Sequence, residues 1–210
     1  MKIKIAPLGN MAANFYAVTD EETNEMFVID PGDRSDIALD VIKSTGAKLR
    51  YIILTHAHAD HIGALDDVKK YYDVPVVIHE DEAQALQNGS LNLCPLLGFD
   101  IPKTRADICV RHGDTLTFGN GEIKFIHTPG HTKGSMCILA NNYVFSGDTL
   151  FHLSIGRTDF PGGSYEEIIH SIQTQLYTLN SDTVIYPGHG ESTTAGYERE
   201  NNPFVKGSNL

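Results

Sequence analysis

The sequence contains few cysteines, and they lie far apart. Cys94, Cys109 and Cys137 form no Cys-x-x-Cys pair in a chain of 210 residues. An odd, scattered set argues against a disulfide framework and suits a reducing compartment, so we expect a cytoplasmic protein.

Basic residues are also scarce. Lys and Arg number 16 against 27 Asp and Glu, which gives a formal net charge of -11. No cluster of Lys and Arg offsets this charge. Because the phosphates of a nucleic acid would be repelled, we expect no nucleic-acid partner.

Several familiar segments are absent from the sequence. No apolar stretch approaches the length of about 20 residues that spans a membrane, so we expect no membrane partner. The first six residues alternate like a strand, where a secretory signal would need an unbroken apolar run. No Gly-x-Ser-x-Gly elbow or Gly-x-Gly-x-x-Gly turn occurs, which argues against a serine hydrolase and a dinucleotide-binding protein.

What the sequence does have is regular apolar patterning, with 41% hydrophobic residues. Alternation and β-branched runs predict strands at Lys2–Ala6, Asn14–Thr19, Met26–Asp30, Arg50–Leu54, Val74–His79, Leu116–Phe118, Ile123–His127, Met136–Ala140, Tyr143–Ser146 and Thr183–Tyr186. Helical spacing predicts Ser35–Thr45, Ile62–Tyr72, Asp81–Gln87 and Tyr165–Leu176. Asn88–Arg105 is predicted to be a loop that covers a site, and the chain after Tyr186 to be irregular. This order predicts an α+β fold, a four-layer αβ/βα sandwich.

A cluster of potential ligands follows the predicted buried strand Arg50–Leu54. Alternate side chains of extended backbone point the same way, so His56 and His58 can share one metal ion. Asp60 and His61 lie one step further and can turn toward a second ion. Three histidines and an aspartate within six residues rarely occur in an ordinary surface loop. Imidazole and carboxylate together suit zinc, iron or manganese.

Three later segments each end a strand in a glycine-bounded loop that carries one potential ligand. They are Thr128–Thr132 with His131, Ser146–Thr149 with Asp148, and Tyr186–Gly190 with His189. Each segment alone is a weak signal, because a histidine beside glycine is common in turns. Together they supply the remaining ligands of a two-metal site.

With these residues in place, the sequence resembles the metallo-β-lactamase superfamily and, within it, the short glyoxalase II-like hydrolases. The resemblance runs nearly end to end. It includes Pro7–Asn10, Val28–Gly32, the clusters above, Ser154–Ser164 and Tyr197–Phe204. It implies one metallo-β-lactamase-type domain over residues 1–210, without the C-terminal helical domain of full-length glyoxalase II.

The resemblance also implies roles for individual side chains. It assigns His56, His58 and His131 to a first metal, Asp60, His61 and His189 to a second, and Asp148 to a bridge between them. Two divalent ions per chain are therefore expected, with zinc favoured over iron or manganese. Asp30 would orient the ligands, while Asp60 and Arg157 are the candidate catalytic residues.

The expected reaction is hydrolysis of a small thioester, such as S-D-lactoylglutathione, or of a related activated ester. A thiolate has a pKa near 8.5 and leaves without a strong proton donor. An amide nitrogen would need one, and the only candidate acid in the motif is Asp60. The alternatives are a mononuclear iron persulfide dioxygenase using His56, His131 and Asp148, and a lactone or β-lactam hydrolase on the same metals.

Other residues receive weaker assignments. Arg157 either faces substrate or ties down the glycine-rich loop around it, and the sequence does not choose. His127 is expected to pack beneath the His131 loop. His152 follows the Asp148 loop closely enough to line the pocket, but a residue without a functional role is the simpler interpretation. No role is expected for His79, His112 and His170. Cys137 is interpreted as a small apolar core residue. The substrate is a small molecule, and the oligomeric state stays open.

Overall fold

The fold is built from two mixed β-sheets, seen in a computed structural model that describes residues 1–206. The last four residues of the expected 1–210 domain lie outside this range. The first sheet has the strand order β1-β2-β3-β4-β5-β6, in which the first three strands are antiparallel and the last four are parallel. Its strands are β1 Lys2–Leu8, β2 Ala13–Asp20, β3 Glu25–Ile29, β4 Lys48–Ile53, β5 Val76–His79 and β6 Ile108–Val110.

The second sheet has the order β14-β13-β10-β9-β8-β7, with β10 and β13 parallel and the other neighbours antiparallel. Its strands are β7 Thr115–Phe118, β8 Gly121–His127, β9 Met136–Ala140, β10 Tyr143–Gly147, β13 Val184–Pro187 and β14 Thr193–Thr194. A separate two-stranded ribbon pairs β11 Leu150–Phe151 with β12 Ser154–Ile155.

Helices cover the outer faces of both sheets. They are α1 Ser35–Lys43, α2 Ala59–Ile62, α3 Leu65–Tyr72, α4 Gly89–Asn92, α5 Cys94–Leu97, α6 Tyr165–Ser171 and α7 Ala195–Asn201. A 3₁₀ turn spans Ala85–Gln87, and a π-helical turn at Ile172–Leu176 continues α6. Within residues 1–206, no helix is both long enough and apolar enough to cross a membrane.

The alternation along strand β2 shows how the four layers form. Phe15 and Ala17 pack in one apolar cluster with α1 and α3, while Tyr16 and Val18 face the second sheet. A third cluster joins the other face of the second sheet to α6 and the turn after it. The layers are thus ordered helix, sheet, sheet, helix from one side of the molecule to the other. The predicted α+β four-layer sandwich is confirmed.

Several predicted elements are wrong in detail. The expected helix at Asp81–Gln87 is reduced to the Ala85–Gln87 turn, because the residues before it form a tight turn in which the Glu82 N–H donates to the His79 carbonyl. The expected helix at Ile62–Tyr72 is interrupted at Gly63-Ala64. The predicted loop at Asn88–Arg105 contains α4 and α5.

The chain after Tyr186 is not irregular, since it forms β14 and α7. Thr194 caps this helix by accepting a hydrogen bond from the Tyr197 N–H, which is a common helix start. The short strand β6 was also not predicted. Its residues Ile108–Val110 pair with β5 at the edge of the sheet, and three residues are too few to establish a period.

Strand direction decides where functional side chains collect. Strands β3, β4 and β5 are parallel, so their carboxyl ends lie at one edge of the first sheet. In the second sheet β8, β10 and β13 also run in a common direction. An isolated bridge between Ala13 and His189 joins the two sheets at this end of the molecule.

Candidate metal centre

Two groups of side chains converge at this common end of the sheets. His56, His58 and His131 offer ligand atoms that all lie within 4.8 Å of one another, and so do Asp60, His61 and His189. The first four cluster residues follow β4, whereas His131 and His189 follow β8 and β13. Residues separated by up to 133 positions in sequence therefore meet at one place, and either group could hold a metal ion.

Asp148, directly after β10, lies between the two groups. One carboxylate oxygen, Oδ1, is 3.4 Å from His61 Nε2, and the other, Oδ2, is 3.5 Å from His131 Nε2 and 3.6 Å from His189 Nε2. Asp60 Oδ2 is 3.2 Å from His189 Nε2. A single carboxylate thus faces both groups, which is where a shared ligand would lie.

The spacing of these atoms suits metal ions. Ligands at 2.0–2.1 Å from a tetrahedral zinc lie about 3.3 Å from one another. In residues 1–206, His56 Nε2, His58 Nε2 and Asp148 Oδ1 are buried side-chain atoms without a hydrogen-bond partner. Buried polar atoms are rarely left unpaired. A cation facing His56 Nε2 and Asp148 Oδ1 would satisfy these two, so the donor set fits divalent metals.

Close packing around Asp148 depends on a glycine. A Cβ at Gly188 would collide with Asp148 Oδ1 and with the ring of His61. The absence of a side chain at this position lets the β13 loop pass directly behind both groups. Any larger residue there would displace the carboxylate.

Asp30, at the end of β3, holds the first ligand segment in place. Its carboxylate accepts hydrogen bonds from the Thr55 N–H at 2.8 Å, the Thr55 hydroxyl at 2.6 Å and His61 Nδ1 at 2.9 Å. The bond to Nδ1 leaves His61 Nε2 to face Asp148. Asp30 is therefore where the resemblance placed it, behind the ligands, and it fixes the ring of His61.

Backbone carbonyls orient two further imidazoles. His131 Nδ1 donates to the Arg157 carbonyl at 2.8 Å, and His189 Nδ1 donates to the Met11 carbonyl at 3.1 Å. Each bond turns the opposite ring nitrogen, Nε2, toward Asp148.

The sequence analysis missed Asn14, which positions the His189 loop. Its side-chain amide donates to the carbonyls of Pro187 at 3.0 Å and Gly190 at 2.9 Å. Asn14 is buried near the start of β2, where its neighbours are apolar. A polar residue in an otherwise apolar strand was the signal available in the sequence.

Burial and charge set the protonation of the ligand histidines. Burial and the neighbouring His131 lower the pKa of His58 to about 3, and burial with His61 nearby lowers the pKa of His56 well below its usual value. These two rings are neutral at pH 7, as ligands must be. Burial would lower the pKa of His61 as well, but the carboxylates of Asp148 and Asp60 raise it well above normal. The field near His61 thus attracts positive charge.

A cavity of about 370 Å³ opens onto the two groups. Apolar side chains form much of its wall, among them Leu93, Leu97, Phe151, Ile155 and Phe160. Arg157 lies at the rim with an exposed guanidinium, paired with Asp159 at 2.7 Å and stacked 3.8 Å over the Phe160 ring. The exposed guanidinium beside the cavity is compatible with a contact to substrate. Its contacts with Asp159 and Phe160 are compatible with a role in holding the glycine-rich loop.

A further group, His79, Asp81 and His127, also brings ligand atoms within 4.8 Å of one another. Its two rings stack face to face at 3.9 Å with 8° between their planes. Imidazole lone pairs lie in the ring plane, so parallel stacked rings cannot both point at one ion. His127 instead hydrogen-bonds the Lys133 carbonyl, in the loop after His131.

The remaining side chains with weak assignments lie away from the cavity. His112 and His170 are exposed. His152 pairs with Glu191 at 2.7 Å and does not line the cavity wall. Cys137 is fully buried in the apolar cluster beneath α6.

A four-layer sandwich with this paired His/Asp centre defines a metal-dependent hydrolase of the metallo-beta-lactamase superfamily. Residues 8–189 match the sequence model of that superfamily, and the chain belongs to it. It is 37% identical over 213 residues to the probable metallo-hydrolase YqgX of Bacillus subtilis, with full coverage of both chains. It is 34% identical over 211 residues to the hydroxyacylglutathione hydrolase GloC of Haemophilus influenzae, covering 98% of each.

Three solved structures are similar to this chain in both fold and sequence. The BLEG-1 B3 metallo-beta-lactamase superposes with a TM-score of 0.92 at 36% identity, covering 98% of this chain and all of that one. TTHA1623 in a di-iron-bound form gives 0.85 at 34% identity, with 96% and 100% coverage. ETHE1 from Myxococcus xanthus gives 0.82 at 29% identity, with 97% and 84% coverage.

Proposed function

We propose that this protein is a dinuclear metal hydrolase that cleaves a small thioester of the S-D-lactoylglutathione kind. The observation that carries the proposal is the position of Asp148 between two ligand groups, at the bottom of a small apolar cavity. The relative GloC is a hydroxyacylglutathione hydrolase, and it matches nearly the whole of both chains.

In this proposal one ion is held by His56, His58 and His131, and the other is held by Asp60, His61 and His189. Asp148 would be a ligand of both ions. Zinc is favoured, although the di-iron form of TTHA1623 makes iron an alternative. Divalent ions held there would supply hydroxide at neutral pH and positive charge for the carbonyl oxygen of the substrate.

The side chains around the centre determine what can be cleaved. Within residues 1–206, the acids that line the cavity are Asp60 and Asp148. Nearby imidazoles outweigh burial and lower the pKa of both, so each is ionised and has no proton to donate. Neither can deliver a proton to an amide nitrogen. A thioester needs no such donor, since its thiolate leaves unaided.

Asp60 and Arg157 have distinct tasks in this proposal. Asp60 faces His189 and His61, where it would hold an ion and orient the attacking water by accepting a hydrogen bond from it. Arg157 at the rim offers a cation that a substrate carboxylate can reach, although Asp159 shares its charge. The apolar wall between them suits a short acyl group.

The test is a substrate panel with protein of known metal content. S-D-lactoylglutathione, a simple amide of the same acid and a δ-lactone would be compared by kcat/KM. We expect the thioester to exceed the amide by at least about 100-fold, because the missing proton donor is worth about 10²–10⁴ in rate. Equal turnover of thioester and amide would refute the proposal.

A β-lactamase activity is the second candidate, favoured by the 36% identity to BLEG-1 over the whole of that chain. Adding a cephalosporin to the panel tests it directly. The persulfide dioxygenase considered from the sequence would reveal itself by oxygen uptake with glutathione persulfide and by one iron per chain.

A further inference from the structure

Glu82 is a buried carboxylate that no step of the proposed reaction uses. It lies in the turn after β5 and is only 3% exposed. Its neighbours Glu80 and Asp81 are exposed on the surface and pair there with Arg111 and Lys133. An ionised carboxylate is costly to bury unless hydrogen bonds compensate it, so the contacts of Glu82 need an explanation.

Those contacts go to both ligand-bearing segments of the first metal group. Oε1 accepts a hydrogen bond at 3.1 Å from the N–H of Ala57, which stands between His56 and His58. Oε2 accepts from the Thr132 hydroxyl at 2.9 Å and from the Gly134 N–H at 2.9 Å, both just after His131. The two N–H groups can only donate, so this geometry belongs to the ionised carboxylate.

The backbone at Gly134 is fitted to this contact. A Cβ there would lie 2.6 Å from Glu82 Cβ and 2.8 Å from Oε2. The loop can therefore reach the carboxylate only because residue 134 is glycine. Ser135 completes the arrangement, since its Oγ accepts from the Thr132 N–H at 3.0 Å.

The two segments that Glu82 joins belong to different sheets. The Ala57 segment follows β4 of the first sheet, and the Thr132 segment follows β8 of the second. The two segments also meet where the Met136 N–H donates to the Thr55 carbonyl at 3.0 Å and where His58 Nδ1 lies 2.9 Å from His131 Nε2. Glu82 adds three hydrogen bonds between them.

We propose that Glu82 is a positioning residue, which ties the His56–His58 segment to the His131 loop and so presets the first metal group. The proposal rests on the ligand roles proposed above for these histidines. Glu82 does not touch the ions or the substrate. Its effect is on how strongly the first site binds its ion before any chemistry occurs.

The test compares E82Q with the matched surface control D81N. The glutamine NH₂ group would face either the Gly134 N–H or the Ala57 N–H. Both groups are donors, so that hydrogen bond would be lost, while the volume of the side chain stays the same. Metal-free proteins would be titrated with Zn²⁺ in competition with a chromophoric chelator. Loss of a partner that orients metal ligands typically weakens binding 10–100-fold, and we expect about this loss for E82Q. D81N should stay within about twofold of the parent protein.

The affected site is identified in an H189A background, which lacks a ligand of the second group. E82Q should still weaken the remaining zinc there by a similar factor. Circular dichroism and thermal melting confirm that each variant is folded. If E82Q does not fold, T132V removes one of the three hydrogen bonds and should weaken zinc binding about 2–5-fold, an equal share of the loss expected for E82Q.

Unchanged zinc affinity in a folded E82Q protein would overturn the proposal, as would an equal loss in D81N. A purely structural role would lower the melting temperature and leave zinc affinity of the folded protein unchanged. The titration uses no substrate. Failure of the thioester assay and failure of this proposal are therefore separate results.

Discussion

The Asp148 carboxylate faces imidazoles from both ligand groups, with contacts of 3.4–3.6 Å. Its removal should therefore weaken both metal sites, whereas removal of His58 should affect one. We expect D148A to bind less than one ion per chain at zinc concentrations that saturate the parent protein, and H58A to retain about one. Metal analysis after gel filtration measures both.

The control for these variants is H112A, because His112 is exposed and outside both groups. It should keep the full metal content and rate. An H58A protein with two tightly bound ions would show that the ligand assignment is wrong.

His79 makes a pH-dependent contribution to stability. Burial and the stacked His127 lower its pKa to about 4 in the folded protein, against about 6.5 in an unfolded chain. Between these values the unfolded state binds the extra proton, so stability is present above pH 6.5 and is lost as the pH falls toward 4. We expect the parent protein to lose about 1–2 kcal/mol more than H79Q between pH 7 and pH 5. Urea unfolding of both metal-free proteins at the two pH values measures this, and parallel losses would contradict it.

At the scale of elements, the segment α4–α5 shapes the entrance to the cavity. Leu93, between these helices, lines the cavity with a left-handed backbone at φ 62°. A leucine in this conformation costs about 1 kcal/mol, and such strain often lies at functional sites.

We expect L93G to relieve this strain while removing a wall of the cavity. The free energy of unfolding should fall by about 1–4 kcal/mol, because losing the buried Leu93 side chain outweighs the relief of about 1 kcal/mol of strain. The KM for the preferred substrate should rise about fivefold or more, the value of losing about 1 kcal/mol of apolar contact. L96S, at an exposed neighbouring position, is the control. Equal KM values in all three proteins would show that this segment does not contact substrate.

Sequence patterns predicted the strands well and the short elements poorly. Strands β2, β3 and β9 bury side chains on both faces, so their nearly continuous apolar residues define them. The Glu82 turn was mistaken for a helix because its acidic residues look like a solvated helical face. Glu82 is buried and Asp81 is exposed because of their contacts with distant parts of the chain. A local sequence pattern carries no information about such contacts.

At the scale of the whole molecule, the proposed metal ligands come from both sheets. Ions held there link the two halves, so chelation should lower stability. Binding at 100 times Kd stabilises by about 2.7 kcal/mol, which corresponds to about 5–10 °C in melting temperature for a chain of this size. Differential scanning calorimetry with and without chelator measures the shift. D148A, already weakened in metal binding, should shift much less, and an equal shift would indicate a metal site elsewhere.

The types of the ligand residues could be predicted from the sequence, but their supports could not. His56 to His61 form a local motif, and the glycine-bounded loops indicated His131, Asp148 and His189. The carbonyls of Met11 and Arg157 orient two of these rings. Every residue has a backbone carbonyl, so residue type does not reveal which carbonyl accepts a hydrogen bond. Such partners become visible only in the folded chain.

The order of the ligands along the chain has a consequence for biosynthesis. His56, His58, His131 and Asp148 all leave the ribosome before His189, which follows β13 of the second sheet. A nascent chain could thus complete the first proposed ligand group before the second. Loading of the second ion would then begin only once the chain has been made as far as the loop after β13.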